Sequence, residues 1–326
     1  MRYRVLGRTG LKVSEIGFGA WAIGGSWGPQ SEDESLCALN AALDLGVNFI
    51  DTAAGYGGGK SERLIARVLR ESGRRDGVVV ATKTPPTQGI WPPSPYCRAD
   101  ERYPESYLRA NVEERLRNLA TDRIDVLQLH TWTRAWNADP TPLMTLEKLR
   151  KEGKVRFFGV STPEHDQNCV VELMQKGLLD VVQVIYNIFE QEPAAQLLPV
   201  AGQSGTGIIV RVPFDEGGLT GRFTPDTTFA DGDFRRGYFA GDRLARTVAR
   251  AEKVREDLAG SGYTMPQAAL KFCLAHPAVS TVIPGIRSVE QAQANCGASD
   301  LPDLPGELME RLRRHNWRRS FWYAGK

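Results

Sequence analysis

The sequence contains few cysteines and almost no excess of charge of either sign. Its five cysteines are an odd number, and their spacing does not match the paired ligands of a metal site. They are Cys37, Cys97, Cys169, Cys273 and Cys296. Dispersed free cysteines are typical of a reducing compartment. The 41 basic and 39 acidic residues leave a formal net charge of +2, so we expect neither nucleic acid nor an anionic membrane as a partner.

Long apolar runs are also missing. The start of the chain, MRYRVLGRTG, lacks the apolar core of a signal peptide. No uninterrupted apolar stretch approaches the roughly 20 residues that cross a bilayer. We therefore expect a soluble, cytoplasmic protein. No linker or shift in composition divides the chain, which predicts one domain over residues 1–326.

Short apolar segments with strand character recur along the chain, each followed by an amphipathic stretch. The first segment, YRVLGRTGLKVSEI, alternates around Arg8, Thr9 and Gly10 and predicts a β-hairpin. Eight strand-like segments then follow, namely IGFGAW, VNFIDT, VVVATK, IDVLQLH, VRFFGVS, DVVQVIYN, GIIVRVP and VSTVIPG. The amphipathic stretches carry helix signals, such as Ser31 followed by Glu34 as a capping box.

This alternation predicts an α/β protein with a parallel sheet covered by helices. Eight such units fit a (β/α)8 TIM barrel with an N-terminal β-hairpin and extra C-terminal helices. The alternative is an open doubly wound sheet, which usually carries a glycine fingerprint in its first turn. The glycines of IGFGAWAIGG do not have that spacing.

Polar residues end consecutive predicted strands. Asp51 ends VNFIDT, Lys83 ends VVVATK, His130 ends IDVLQLH, and Tyr56 follows Asp51 in a glycine-rich turn. Active sites of (β/α)8 barrels lie at the carboxyl ends of the strands, so we expect these side chains to meet at one rim. Each of them alone is more often a turn, surface or structural residue, but their convergence favours a catalytic site.

This group of side chains suits the protonation of an oxygen atom. A neighbouring ammonium stabilises a phenolate, so we expect Lys83 to lower the pKa of Tyr56. Asp51 is then needed to offset the burial of the Lys83 charge. A neutral His130 can donate to a substrate oxygen. None of these side chains is a source of electrons, so a cofactor must supply the hydride.

Several stretches resemble the aldo-keto reductase superfamily, in particular its bacterial NADPH-dependent carbonyl reductases. They are GVNFIDTAAGYGGGKSE, ATKT, LQLH and IPGIRSVEQAQAN. The resemblance covers essentially the whole chain and implies a (β/α)8 barrel that binds NADP(H) without a Rossmann domain. It implies a catalytic tetrad of Asp51, Tyr56, Lys83 and His130. Tyr56 is then the general acid in carbonyl reduction and the base in alcohol oxidation.

The resemblance also implies a set of cofactor-binding residues around the same rim. They are Trp21, Ser161, Gln183, Arg211, Pro213, Gly218, Leu219, Thr220, Arg222, Gly285, Arg287, Gln291 and Asn295. Within this set we expect Ser161 and Gln183 to hold the nicotinamide carboxamide. Arg287 is expected to bind the 2′-phosphate at a helix N-terminus, which favours NADPH over NADH. The sequence departs from the common family pattern at Thr162, Arg211 and Ala294.

The resemblance implies a small carbonyl compound or alcohol as substrate, and tryptophans in the loops are expected to surround it. Trp27, Trp91 and Trp132 are the predicted lining residues, and Trp136 lies on the same side. Aromatic walls suit a polycyclic, aromatic or sugar-derived substrate. The insertion TPPTQGIWPPSPYCRADERYP is long and rich in proline, which favours a stiff lid.

The same residues are compatible with other functions. One alternative is a nucleotide-binding regulatory subunit of the same fold with little turnover. A glycosidase would need two facing carboxylates, whereas only Asp51 is placed on the rim. An aldolase could use Lys83 as a Schiff base.

The basic tail RLRRHNWRRSFWY predicts a solvated helix face, and nucleic-acid binding is a remote alternative for it. Trp317 and Trp322 in this tail are expected to cover the rim or the outside of the barrel.

Overall fold

The computed structural model describes residues 1–91 and 93–319. Trp322 therefore lies outside the described residues. A small antiparallel hairpin comes first, formed by β1 (Tyr3–Val5) and β2 (Lys12–Ser14) around a turn at Gly7–Thr9. This hairpin confirms the prediction for the start of the chain.

The described residues then form an eight-stranded parallel sheet in chain order. Its strands are β3 (Phe18–Gly19), β4 (Phe49–Asp51), β5 (Val79–Thr84), β6 (Ile124–Leu129), β7 (Val155–Ser161), β8 (Val181–Ile185), β9 (Gly207–Arg211) and β10 (Val279–Val282). Parallel bridges from Ile16 to Val282 and from Gly19 to Gly285 join the two edges of the sheet. The predicted (β/α)8 barrel is confirmed.

Helices lie between the strands on the outside of the barrel. The α-helices of the described residues are α1 (Glu32–Asp44), α2 (Lys60–Glu71), α3 (Ala99–Arg102), α4 (Glu105–Leu119), α5 (Thr141–Lys151), α6 (Val171–Gln175), α7 (Leu197–Ser204), α8 (Phe234–Tyr238), α9 (Arg243–Leu258), α10 (Met265–Leu274), α11 (Val289–Gly297) and α12 (Gly306–Arg313). None of the described helices is long and apolar enough to cross a membrane.

Capping residues explain where several helices begin. The Ser31 hydroxyl accepts from the backbone N–H of Glu34, whose carboxylate accepts from the backbone N–H of Ser31. Sequence reasoning missed α10, which packs against β10. The signal was present, because Thr264 and Gln267 form the same kind of capping box before an apolar run.

The barrel interior changes from apolar to polar along five of its eight strands. In β4, β5, β6, β8 and β9, an apolar residue is followed two positions later by a polar one, namely Phe49 and Asp51, Ala81 and Lys83, Val126 and Gln128, Val181 and Gln183, and Ile209 and Arg211. Residues two apart on a strand point to the same side. The polar residues thus form a layer at the carboxyl end of the barrel.

The hairpin closes the opposite end of the barrel. Leu6, Leu11 and Val13 are buried in one cluster with the apolar interior residues, which include Phe49 and Ile209. Removing this apolar surface from water stabilises the closed end. The hairpin seals the amino-terminal end, and the polar layer lies at the other.

Candidate active site

A glycine-rich turn after β4 places Tyr56 at the carboxyl end of the barrel. Gly57, Gly58 and Gly59 all have positive φ, which residues with a side chain rarely adopt. The turn also approaches the loop after β3 closely, since a Cβ on Gly57 would lie 2.3 Å from the Gly24 carbonyl oxygen. This sequence therefore allows a tight turn that a residue with a side chain would block.

Lys83 lies between Asp51 and Tyr56 and is fully buried. Its Nζ donates to the Asp51 carboxylate and, at 2.8 Å, to the carbonyl oxygen of Thr52. The same atom lies 3.5 Å from the Tyr56 hydroxyl oxygen. A buried ammonium needs such partners because it has lost its hydration. The structure thus brings together the acid, the base and the phenol that the strand ends predicted.

Two amide side chains donate hydrogen bonds to Oδ2 of Asp51, the carboxylate oxygen that Lys83 does not contact. Gln183 Nε2 donates to Asp51 Oδ2 at 2.7 Å, and Gln128 Nε2 donates to the same atom at 3.2 Å. These bonds hold the carboxylate towards Lys83. Sequence reasoning missed Gln128, although it lies two residues before His130 and so points to the same side of the chain.

The Tyr56 ring also packs near His130 and Trp21. The Tyr56 and His130 ring centroids are 6.1 Å apart at 75°, and the Trp21 ring stacks on Tyr56 at 6.1 Å. Burial lowers the pKa of His130 well below 6.5, and the charges of Lys83 and Arg211 lower it further. His130 is therefore neutral at pH 7, which is the state in which it could donate to a substrate oxygen.

The predicted direction of the Tyr56 pKa is wrong for this structure. Burial of the phenol raises its pKa above 10, and this effect exceeds the lowering by the Lys83 ammonium. The sequence indicated the neighbouring cation but not the loss of hydration. The phenol is consequently protonated at neutral pH.

Ser161 and Gln183, the predicted carboxamide ligands, lie side by side at the ends of β7 and β8. They are register partners, and Ser161 Oγ donates to Gln183 Oε1 at 3.3 Å. Both side chains are almost fully buried. The Gln183 amide therefore joins Ser161 to Asp51 in one hydrogen-bonded chain.

Arg211 at the end of β9 is paired with an acidic residue. Its Nη2 donates to Glu164 Oε1 at 2.9 Å and to the Thr162 carbonyl oxygen at 3.1 Å. Its buried Nε has no hydrogen-bond partner among the described residues. Sequence reasoning missed Glu164, which lies in the loop after β7. The positive charge of Arg211 is therefore balanced within the structure.

The segment 212–221 after β9, here called the β9 loop, has an energetically unfavourable backbone conformation at three residues. Val212, Asp215 and Glu216 have φ values of 57°, 51° and 55°. Each such residue costs on the order of 1–3 kcal/mol, so surrounding contacts must impose the shape. One of these contacts is a 2.8 Å hydrogen bond from Asn187 Nδ2 to the Val212 carbonyl oxygen.

The β9 loop and the residue just beyond it contain five of the residues predicted to bind the cofactor. Pro213, Gly218 and Leu219 are buried, Thr220 is partly buried and Arg222 is exposed. Burial raises the pKa of Glu216 in the same loop to about 8. Its buried Oε1 has no hydrogen-bond partner within the described part of the chain.

The N-terminus of α11 brings together the predicted nucleotide residues. Ser288 caps the helix by accepting from the backbone N–H of Gln291, and Gln291 Oε1 accepts from the backbone N–H of Arg287 at 2.8 Å. Arg287 donates from Nε to Gln30 Oε1 and from Nη2 to the Pro29 carbonyl oxygen. Asn295 Nδ2 lies 3.5 Å from the carbonyl oxygen of Gly285.

Known proteins resemble this chain in sequence and in fold. A model of the Aldo/keto reductase family matches residues 15–316. The chain belongs to that family. The structure of the aldo-keto reductase AKR11C1 from Bacillus halodurans, in its holo form, is similar with a TM-score of 0.77 and 27% identity, covering 98% of this chain and 99% of that chain.

Two curated relatives show the range of the family. Aldo-keto reductase YhdN of Bacillus subtilis (strain 168) is 35% identical over 243 residues, which cover 72% of this chain and 69% of that protein. The NADH-specific methylglyoxal reductase of Escherichia coli (strain K12) is 30% identical over 329 residues, which cover 94% of this chain and 97% of that protein. Aldo/keto reductases are oxidoreductases that use nicotinamide cofactors.

The polar atoms around the barrel end of this aldo/keto reductase suit such a cofactor. Arg211 Nε offers a buried donor and Glu216 Oε1 a buried acceptor, and neither has a partner among the described residues. Buried polar atoms of this kind usually have hydrogen-bond partners, so we expect a polar ligand to supply them. The capped N-terminus of α11 beside Arg287 suits an anionic group. The polar groups present therefore fit a dinucleotide.

Aromatic residues cover one side of this site. Trp21 packs edge-on against Trp27 at 5.5 Å, and Phe234 of α8 lies 4.9 Å from Trp21. The Arg235 guanidinium lies over the Trp27 ring at 4.7 Å and pairs with Asp233. The insertion after β9 is thus packed onto the loop after β3. Sequence reasoning missed this contact because it joins two distant loops.

The three tryptophans predicted to line the substrate site differ in exposure. Trp27 is partly buried and Trp91 is 44% exposed. The prediction for Trp132 is wrong, because its side chain is fully buried and its indole N–H donates to Asn137 at 2.8 Å. Trp136 is also buried and packs edge-on against Trp132. A side chain with no exposed surface contributes packing rather than substrate contact.

The interpretation of the C-terminal arginines as a solvated helix face is wrong for Arg319. α12 ends at Arg313, and the chain beyond it turns inward. The Arg319 side chain is 7% exposed and pairs with the buried Asp215 of the β9 loop. Trp317 is buried against Phe189. The described part of the tail therefore packs beside the site.

Proposed function

We propose that this protein is an NADP(H)-dependent aldo-keto reductase that reduces an aldehyde or ketone to an alcohol, reversibly. The observation that carries the proposal is the position of Lys83 Nζ, which is bonded to Asp51 and lies 3.5 Å from the Tyr56 hydroxyl. A phenol beside a buried ammonium can give up and regain a proton. This is the proton chemistry that carbonyl reduction requires.

In this proposal Tyr56 donates its proton to the carbonyl oxygen. The cofactor supplies the hydride when bound. The raised pKa of Tyr56 keeps the phenol protonated at neutral pH, so the donor is ready before each turnover. Lys83 stabilises the phenolate that remains, and Asp51 offsets the buried charge of Lys83. In the oxidative direction the phenolate takes the proton of the alcohol.

His130 is proposed to position the carbonyl oxygen. Its lowered pKa keeps the ring neutral, so one ring N–H can donate without adding a second charge beside Lys83. A neutral donor directed at the oxygen favours the charge that develops there during reduction.

The nicotinamide is proposed to lie beside Ser161, Gln183 and Arg211, with Trp21 across from them. An unpaired Arg211 guanidinium would weaken binding of the oxidised nicotinamide ring, because that ring carries a positive charge. The Glu164 carboxylate lies 2.9 Å from Arg211 Nη2, and its negative charge offsets the positive charge of the guanidinium. The pair of residues can then flank the ring in both of its oxidation states.

NADPH is proposed as the preferred cofactor because of Arg287. Its guanidinium has five N–H donors, and Gln30 and Pro29 accept from two of its nitrogens. Donors therefore remain for a 2′-phosphate at the N-terminus of α11. The methylglyoxal reductase of Escherichia coli is named as NADH-specific, so the test compares NADPH with NADH directly.

Trp27 and Trp91 are proposed to border the substrate. An aromatic border suits a polycyclic, aromatic or sugar-derived aldehyde or ketone. The exposed Trp91 lies in the insertion after β5, and Ile90 beside it is 77% exposed. These side chains can close over an apolar substrate face.

The test is a substrate panel with the purified protein. We expect carbonyl-dependent loss of the absorbance of the reduced nicotinamide, faster with NADPH than with NADH. Tight NADPH binding without turnover on any carbonyl would favour the regulatory subunit instead. Borohydride trapping of a substrate carbonyl on Lys83 would favour an aldolase. Either result overturns the proposed reductase.

A further inference from the structure

The conformation of the β9 loop is stabilised by contacts with residues that are distant in the sequence. Its backbone is unfavourable at Val212, Asp215 and Glu216, all of which have positive φ. Val212 is β-branched, for which this conformation is an outlier. Such a loop keeps its shape only if contacts elsewhere impose it.

One of these contacts comes from the C-terminal tail. Arg319 donates to the Asp215 carboxylate, and the two side chains are 7% and 2% exposed. A carboxylate this deeply buried needs a charged partner to remain ionised. The partner lies 104 positions away in the sequence, so it ties the end of the chain to the β9 loop.

The tail is itself anchored on the turn that follows β8. The Trp317 backbone N–H donates to the Phe189 carbonyl oxygen at 2.8 Å, and the Arg319 guanidinium lies 4.4 Å from the Trp317 ring centroid. Asn187 in the same turn donates to the Val212 carbonyl oxygen. One turn therefore supports both the tail and the start of the β9 loop.

We propose that Arg319 is a positioning residue for the cofactor. By pairing with Asp215 it holds the β9 loop in the shape that binds the dinucleotide. The inference rests on the proposed function, because the loop residues Gly218, Leu219 and Thr220 bind the cofactor only if the protein is the reductase that the family resemblance implies. In this proposal Arg319 acts on the cofactor indirectly, through its ion pair with Asp215.

Cofactor affinity tests the proposal directly. In Arg319→Met the tether is lost, and we expect the dissociation constant for NADPH to rise about tenfold or more. Arg319→Lys keeps a cation and should recover part of the affinity. Arg318→Met is the matched control, since the Arg318 side chain is 88% exposed, and its affinity should equal that of the wild type.

A double variant separates positioning from stability. In Asp215→Asn/Arg319→Met both charges of the buried pair are removed together, so the melting temperature should return towards the wild-type value. NADPH affinity should nevertheless stay low, because the loop still lacks its tether. If affinity returns together with stability, the pair is only structural and the proposal is overturned.

Hydrogen exchange of the wild type gives a test that requires no variant. We expect NADPH to slow exchange in residues 212–221 and also at the Trp317 amide, because coupling between two sites is reciprocal. Protection of the loop without protection at Trp317 overturns the inference. If Arg319→Met does not fold, this measurement decides.

Failure of this inference can be told apart from failure of the proposed function. If the wild type binds no nicotinamide nucleotide, the proposed function falls and the inference falls with it. If the wild type binds NADPH and Arg319→Met binds it equally well, only the role of Arg319 is overturned.

Discussion

The amine of Lys83 lies 3.5 Å from the hydroxyl oxygen of Tyr56, although 27 positions separate the two residues in the sequence. Lys83 also donates to Asp51, so the ammonium is held between a carboxylate and a phenol. Burial raises the pKa of the phenol and so makes it a weaker acid, whereas the Lys83 ammonium lowers that pKa. The balance of these two effects sets the pKa of Tyr56 and therefore how readily it releases its proton.

Tyr56→Phe should abolish most of the carbonyl reduction. Loss of a general acid typically costs about 10²–10⁴-fold in kcat, and the NADPH dissociation constant should change little. Steady-state kinetics and a binding titration measure the two quantities. Tyr3→Phe, in the hairpin at the other end of the barrel, is the control and should keep full activity. Retention of more than a tenth of kcat in Tyr56→Phe would assign the proton to another group.

Arg287→Ala should weaken NADPH selectively. Hydrogen bonds to a charged phosphate contribute enough that we expect a rise of about 10- to 100-fold in the NADPH dissociation constant, with little change for NADH. Gln30→Ala is the control, because it removes a contact of Arg287 but keeps its charge. Equal losses for both nucleotides would show that the 2′-phosphate lies elsewhere.

Glu164→Gln should shift the preference between the two oxidation states of the cofactor. Without the carboxylate, Arg211 leaves excess positive charge near the nicotinamide, so NADP⁺ should bind roughly 3- to 30-fold more weakly relative to NADPH. Parallel titrations with both forms give this ratio. Glu172→Gln, from an exposed ion pair with Lys176, is the control. An unchanged ratio would place Arg211 away from the ring.

Glu216→Gln should change how stability depends on pH. Burial raises the pKa of Glu216 from 4.5 to about 8, although the charges of Arg211 and Arg235 oppose this, while Asp215 and Glu164 reinforce it. Between these values the folded chain holds a proton that the unfolded chain has released, so stability falls as pH rises.

This loss amounts to up to about 4 kcal/mol between pH 5 and pH 8. Glu216→Gln cannot ionise and should lose less stability over the same range. Urea unfolding at the two pH values measures the difference. The exposed Glu307→Gln serves as the control and should follow the wild type. Parallel pH curves for wild type and Glu216→Gln would contradict the raised pKa.

Gly159→Ala should destabilise the barrel. A Cβ at Gly159 in β7 would lie 1.9 Å from the backbone oxygen of Val181 in β8, so the strands must separate. We expect a loss of about 3 kcal/mol or more in the free energy of unfolding. Gly202→Ala in α7 is the matched control, with nothing within 4 Å of its added Cβ. It should raise stability by about 0.5–1 kcal/mol.

Local sequence patterns were sufficient to predict the barrel and to place Asp51, Lys83 and His130 at its carboxyl end. Asp51, Lys83 and His130 could be placed because each closes or nearly closes an apolar strand, and parallel strands end at the same edge of a barrel. The capping box of Ser31 and Glu34 is equally local. Periodicity and capping depend only on neighbours in the chain.

Other features could not be predicted in this way. The pairing of Glu164 with Arg211, the inward turn of Arg319 and the burial of Trp132 all depend on contacts between distant loops. Many loop conformations satisfy the same local pattern, and packing selects among them. The direction of the Tyr56 pKa was missed for a related reason, since hydration depends on everything that surrounds the phenol.

The sequence by itself determined the alternation of strands and helices and the order in which polar residues reach the carboxyl ends of the strands. It could do so because a strand repeats every two residues and a helix every 3.6. Only the tertiary structure decided which charges are paired, which aromatic side chains are exposed and how far burial moves a pKa. These properties depend on the distance between groups in space, which the closed barrel and its packed loops set.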